Sequence, residues 1–253
     1  MKAYKILIIC LLPLSYSVNL SAQDNYEIQV YSSAVVERKN TMVEIHSNYS
    51  LGESDPDQNS SSQILHETLE ITHGFSKWFE IGGYIFTSIS SEQSGFAGVH
   101  IRPRFAIPQE YELPIGISLS SEVGYQKADF FGSRWVAEVR PIFDKKINSF
   151  YCSANLTLDM SLDKSQNNAL EFNPSLKTSY SVSRKVDLGL EYYSGLGFIN
   201  DFEPIQNQSH TIFAAIDWDF HPDWEFNAGV GYGLTSSSDN LVVKLILGYR
   251  LPF

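Results

Sequence analysis

Cysteine is scarce: the 253-residue chain has two, and Cys10 lies in an apolar leader, so no internal disulfide can staple the remainder. Positive charge is also short, with 18 Lys+Arg against 29 Asp+Glu and a net charge of −11. Without a basic stripe to displace counterions, nucleic acid is excluded as a partner. Beyond the leader no apolar run approaches the roughly 18 residues of a membrane-crossing helix. There is no glycine-rich phosphate loop and no dinucleotide fingerprint, so no cofactor is expected. Charged residues are only 19% of the chain, whereas 14 Tyr, 16 Phe and 4 Trp are present. So many rings in a weakly charged chain suit a boundary between water and lipid.

Lys2 and Lys5 precede the apolar run 6–14, and small polar residues lead to Ala22. That layout reads as a secretory signal over residues 1–22. Residues 23–40 are then expected to form an N-terminal periplasmic or lumenal segment, and 41–253 the body of the fold. Removal of the signal leaves Cys152 as the single thiol.

From Thr41 onward the apolar period is two. Leu241, Val243, Leu245, Leu247, Tyr249 and Leu251 share one parity, with Lys244, Gly248 and Arg250 on the other. Trp224, Phe226, Ala228, Val230 and Tyr232 oppose Glu225, Asn227, Gly229, Gly231 and Gly233 in the same way. Twelve such stretches are countable, each suited to a strand with one apolar face. Their length, even number and alternation predict an all-β fold: a single antiparallel transmembrane β-barrel of about 12 strands, of the bacterial outer-membrane type. A soluble β-sandwich also alternates, but with shorter strands and a more charged outer face.

Connections 52–61, 162–168 and 199–208 read as long outer loops, and 76–77, 108–113, 144–147, 183–184 and 221–223 as short inner turns. Trp78, Trp218 and Trp224 gather at the short-turn end as a membrane girdle in outer-membrane lipid. Phe253 is similar to the terminal aromatic of outer-membrane barrels, which implies recognition by the barrel-assembly machinery.

The opposite parity assigns a lumen. Its acids are Glu44, Glu70, Glu80, Glu122, Glu138, Glu171, Asp187, Glu191, Asp217, Asp219 and Glu225, and its bases Arg102, Arg104, Arg140, Lys177, Lys244 and Arg250. One reading is a structural ion-pair network, because interior charges need partners or water. The other is a cation-favouring pore with an arginine ladder opposite acids. Glycines at 189, 195, 197, 229, 231 and 233 suggest a smooth wall that accommodates residues 26–39, or barrel curvature.

A Glu44-containing first strand, the stretch from Glu70 to Gly82 with His73, Gly74, Phe75, Trp78 and Phe79, and the ending Leu247 to Phe253 carry a family resemblance. The mature chain resembles outer-membrane barrels related to the phenol-degradation MetA-pathway family. The resemblance implies a link to hydrocarbon or aromatic uptake and brings no catalytic residue with it.

Enzyme chemistry finds little support. His46 and Ser47 are neighbours on a strand and point to opposite faces, so they make no dyad. His46, His66, His100, Glu44 and Glu70 have no recognised ligand spacing, and no metal is expected. The expected function is a passive channel for small solutes through an acidic, charge-laddered lumen. The alternatives are a non-conducting structural or surface-binding barrel and an outer-membrane lipid hydrolase.

Overall fold

In the alternating stretches each strand carries an apolar face and a polar face, so the sheet buries the polar set only by closing on itself. A computed structural model of the protein describes residues 25–55, 60–131, 133–163 and 169–252. The strands are β1 (Asn40–Asp55), β2 (Ser60–Ser76), β3 (Phe79–Ser90), β4 (Ser94–Ala106), β5 (Gly116–Gln126), β6 (Trp135–Ile147) and β7 (Phe150–Ser161). They continue as β8 (Leu170–Ser181), β9 (Val186–Gly195), β10 (Gly197–Phe198), β11 (Asp201–Phe202), β12 (Ser209–Trp218), β13 (Trp224–Gly233) and β14 (Leu241–Pro252).

Every long strand pairs antiparallel with its neighbour, β9 pairs with both β8 and β12, and β1 pairs with β14, closing a ring of twelve. Closure satisfies the ladder on every edge, the condition for a sheet in lipid. The strands β10 and β11 pair as a two-residue ribbon outside that ring, and β11 falls within the connection 199–208 that was expected to be loop. Another expectation is corrected at the inner turn 144–147. Strand β6 runs through Ile147, and the reversal falls at Asn148 and Ser149, with Asn148 in the left-handed region at φ 54°.

Outward parity is apolar and exposed around the wall: Ile45 on β1, Ile101 on β4, Leu119 on β5, Leu176 on β8, Leu190 on β9, Val230 on β13 and Leu245 on β14. Left in water, such a band would be far larger than the apolar patches of soluble proteins. Trp78, Phe105, Trp218 and Trp224 are exposed at the short-turn end. Trp78 stacks on Phe105 with centroids 5.9 Å apart, and Trp224 lies 4.9 Å from Tyr249. Phe253 lies outside the described residues.

Apolar burial sits inside the ring. One cluster joins Ile28 and Val30 to Tyr193, Phe213 and Val242, and a second joins Tyr26 to Tyr84, Phe86 and Ala97, flanked by Phe130 and Phe131. Ile28, Val30 and Tyr26 belong to the chain ahead of β1. The barrel therefore has a core of the kind soluble domains have, built between its wall and its own N-terminal segment.

Candidate functional site

Residues 25–39 run through the bore from the loop end to the turn end. At the loop end Asn25 donates from its side chain to Asp239, and Asn48 donates to the Asn25 carbonyl. At the turn end the Val36 N–H donates to Glu80 and the Lys39 N–H to the Gly74 carbonyl, before Lys39, at φ 70°, turns the chain into β1. Extended chain covers about 3.3 Å per residue, so this segment is long enough to cross a lipid-facing band about 25 Å tall.

The segment forms no strand, and wall side chains satisfy its backbone. Thr68 donates to the Tyr26 carbonyl at 2.7 Å and Lys244 to that of Ile28 at 3.3 Å. Ser153 and Asn155 both donate to the Tyr31 carbonyl, while the Tyr31 N–H donates to Asn155 Oδ1 at 2.8 Å. Arg104 donates to the carbonyls of Ser32 and Ala34. Buried peptide groups need such partners, and here β1, β2, β4, β7 and β14 supply them.

Tyr31 is the centre of the arrangement. The guanidinium carbons of Arg102, Arg140 and Arg104 lie 4.7, 4.9 and 5.5 Å from its ring centroid. Its hydroxyl donates to Glu27 and lies 3.2 Å from that of Tyr84. Arg102 also pairs with Glu70 at 2.6 Å and Glu80 at 3.5 Å, Arg104 with Glu80 at 2.7 Å, and Arg140 with Glu138 at 2.8 Å and Glu27 at 3.6 Å. A second network joins Glu191 to Lys244 at 2.5 Å and Lys177 at 3.3 Å, with Lys177 also on Asp217 at 2.8 Å. Arg102, Lys244, Glu70, Glu80 and Glu191 are each at most 2% exposed. Water does not reach them, so these charges depend on one another.

Among the residues assigned to the lumen from sequence, Glu44, Glu122, Arg104 and Arg140 are also buried, and Glu122 contacts His100. Glu138, Glu171, Asp187, Lys177, Asp217, Glu225 and Arg250 are partly exposed. They do not form one cluster. Glu138 and Glu171 lie near the loop end, and Asp187, Asp217 and Glu225 near the turn end. Asp219 departs from the assignment: it lies beyond the end of β12 and is exposed, with its N–H donating to the Lys185 carbonyl. The alternation of β12 stops at Trp218, one residue before Asp219. Arg250 donates to the Pro222 carbonyl at the rim.

The sequence reading missed Asp144, taken as turn, and Asp159, whose parity on β7 matches Asn155 and Ser153. Asp144 accepts from the Ser33 hydroxyl at 2.7 Å and its N–H at 2.8 Å; Asp159 accepts from Asn173 at 2.6 Å. The glycine expectation is also corrected. A side chain at Gly231 would strike the Phe213 ring and one at Gly229 the Lys244 side chain, so that wall makes room for its own neighbours. Gly74, against the carbonyls of Val36 and Glu37, and Gly116, against Ser33, are the glycines that admit the segment.

Outside the barrel, Arg38, Phe75, Lys77, Trp78, Pro108 and Tyr111 line a surface pocket of about 600 Å³ at the turn end. The hydrogen bond to Glu110, at 2.7 Å, raises the Lys77 ammonium above its ordinary pKa.

Comparison with known proteins places the wall in context. Residues 138–251 match the family described as the MetA-pathway of phenol degradation, in support of the resemblance. No curated protein matches the sequence. An outer membrane channel from Pseudomonas putida F1 superposes with a TM-score of 0.66 at 10% identity, over 89% of this chain and 100% of that one. The NanC porin gives 0.58 at 9% identity over 83% and 100%, and the KdgM porin 0.55 at 9% over 82% and 98%. The fold is a closed β-barrel of the outer-membrane type.

Proposed function

We propose that this barrel is a passive channel for small solutes that rests closed, with residues 25–39 as the occluding segment. The carrying observation is how that segment is held. Its backbone bonds to wall side chains such as Arg104, Asn155 and Thr68, so it can leave without breaking any inter-strand ladder. A segment built in as a strand would have no such freedom.

The charge layout supports cation preference in the open state. Acids outnumber bases among the inward residues, and the partly exposed ones sit toward the two ends: Glu138, Asp159 and Glu171 at the loop end, Asp187, Asp217 and Glu225 at the turn end. Clusters of carboxylates on three adjacent strands at each mouth raise the local concentration of cations. Arg102, Arg104 and Arg140 lie deeper, committed to Tyr31, Glu70, Glu80 and Glu138. The fold neighbours include porins and an outer membrane channel, in keeping with this reading and with a non-enzymatic role.

A permanently filled barrel is the second reading, favoured by the two apolar clusters the segment completes. Planar-bilayer recordings under a salt gradient separate the two. The intact chain should give rare, small openings with a cation-selective reversal potential, and variants that loosen the segment should open more often. Silence from folded, loosened variants would establish the filled barrel instead.

A further inference from the structure

Three side chains able to ligate a metal converge inside the barrel. Glu44 and Glu70 are directly opposite in the register of β1 and β2, and His46 is two residues along β1 on the same inward face. Carboxylates so placed repel unless a proton or a cation lies between them. Of the two arginines nearby, Arg102 compensates one oxygen of Glu70, Arg104 is held by Glu80, and neither forms an ion pair with Glu44 among the described residues. Glu70 Oε1 accepts from Arg102 at 2.6 Å and from the Thr72 hydroxyl at 2.7 Å, and Arg104 pairs with Glu80 at 2.7 Å.

That leaves Glu70 Oε2 without a hydrogen bond and directed at His46, 3.4 Å from its Nε2. His46 is fully buried; its Nδ1 has no hydrogen-bond partner, and its Nε2 faces Glu70 alone among the described residues. Glu44, 7% exposed, has no hydrogen bond or salt bridge among the described residues. One donor atom from each of Glu44, His46 and Glu70 falls within 4.8 Å of the others.

We infer that Glu44, His46 and Glu70 form a structural site for a divalent transition-metal ion, bound through two carboxylates and one imidazole. Two oxygens and one nitrogen suit zinc or manganese, and a dication offsets the two facing carboxylates in a place water does not reach. The ion fastens β1 to β2 beneath the turn-end part of the 25–39 segment, where Val36 bonds to Glu80. The inference does not depend on whether the barrel conducts.

The test is metal retention. The full mature chain is refolded in detergent with Zn²⁺, passed through a chelating buffer, and its zinc content measured. About one zinc ion per chain should remain. Retention should fall at least about tenfold in Glu44→Gln and His46→Gln and persist in His221→Gln, whose side chain is exposed on a turn. Heat-modifiable migration on gels reports whether each variant is folded. Zinc absent from the folded wild type, or kept equally by folded Glu44→Gln and His46→Gln, overturns the site. Should both variants fail to fold, Co²⁺-loaded wild type decides: one paramagnetically shifted imidazole resonance supports the assignment, and none refutes it.

Discussion

Ser33 gives both its N–H and its hydroxyl to a single carboxylate, that of Asp144, at 2.8 and 2.7 Å across 111 residues of sequence. Tyr151 donates to the same carboxylate at 3.0 Å. Hydrogen bonds to a charged group contribute about 1.5–3 kcal/mol each, so this clamp is a principal tether of the segment at the turn end. Asp144→Ala should raise the open probability in planar bilayers about tenfold or more, by the same magnitude. Unchanged openings in a folded Asp144→Ala barrel would mean the segment is held by its apolar contacts.

Tyr31 separates ring from hydroxyl. Tyr31→Phe keeps the face that three guanidinium groups share and loses the bonds to Glu27 and Tyr84, whereas Tyr31→Ala removes both. The alanine variant should cost about 3–5 kcal/mol, as large-to-small changes of buried aromatics do, and the phenylalanine variant about 1–2 kcal/mol. Urea unfolding in lipid vesicles, followed by tryptophan fluorescence, gives both numbers. Equal losses would place the energy in the hydroxyl.

Neighbouring residues of β14 test the two faces. Leu245 is exposed on the outer wall, so Leu245→Arg should cost about 2–4 kcal/mol near the midplane. Lys244 is 1% exposed and paired with Glu191, which keeps Lys177 as a second partner. Lys244→Ala should therefore cost stability too, about 3 kcal/mol. The distinguishing measurement is lipid thickness: a thinner bilayer should relieve Leu245→Arg and leave Lys244→Ala unchanged.

Gly74→Val tests the segment without touching a charge. The added side chain would meet the Val36 and Glu37 carbonyls, so residues 36–39 must move off the wall. Limited proteolysis of the folded barrel from the turn side should cut within 36–39 in this variant faster than in the wild type. Equal rates would show that the wall yields and the segment stays.

How much of this was legible in the sequence follows from what alternation encodes. Ile45, Ile101 and Leu245 are apolar because lipid faces them, so period two revealed the strands and their outward side. At the ends of strands the signal fails: Asp144 was read as turn and Asp219 as lumen, because one polar residue near a reversal looks like another. In the segment 25–39, Tyr26, Ile28 and Val30 alternate with Glu27 and Gln29 as a strand would, yet the segment pairs with no strand, so its period does not reveal its place. Tyr26 packs on β3 and β4 while Ile28 and Val30 share a cluster with β9, β12 and β14, partners that are set by the closed ring. The pairing of Glu44 with Glu70 required the β1–β2 register, which parity alone does not fix.

The seam between β1 and β14 has a consequence for how the molecule is made. Its pairs, from Asn40 with Pro252 to Leu51 with Leu241, join residues about as far apart in sequence as this chain allows. The residues just ahead of β1 must already lie within the curving sheet when that seam zips, or be threaded through a finished ring afterwards. Contacts of such long range are slow to form. Segment packing and ring closure therefore compete for the same interval, and a chain whose first residues are late should close around water and mature slowly into its filled form.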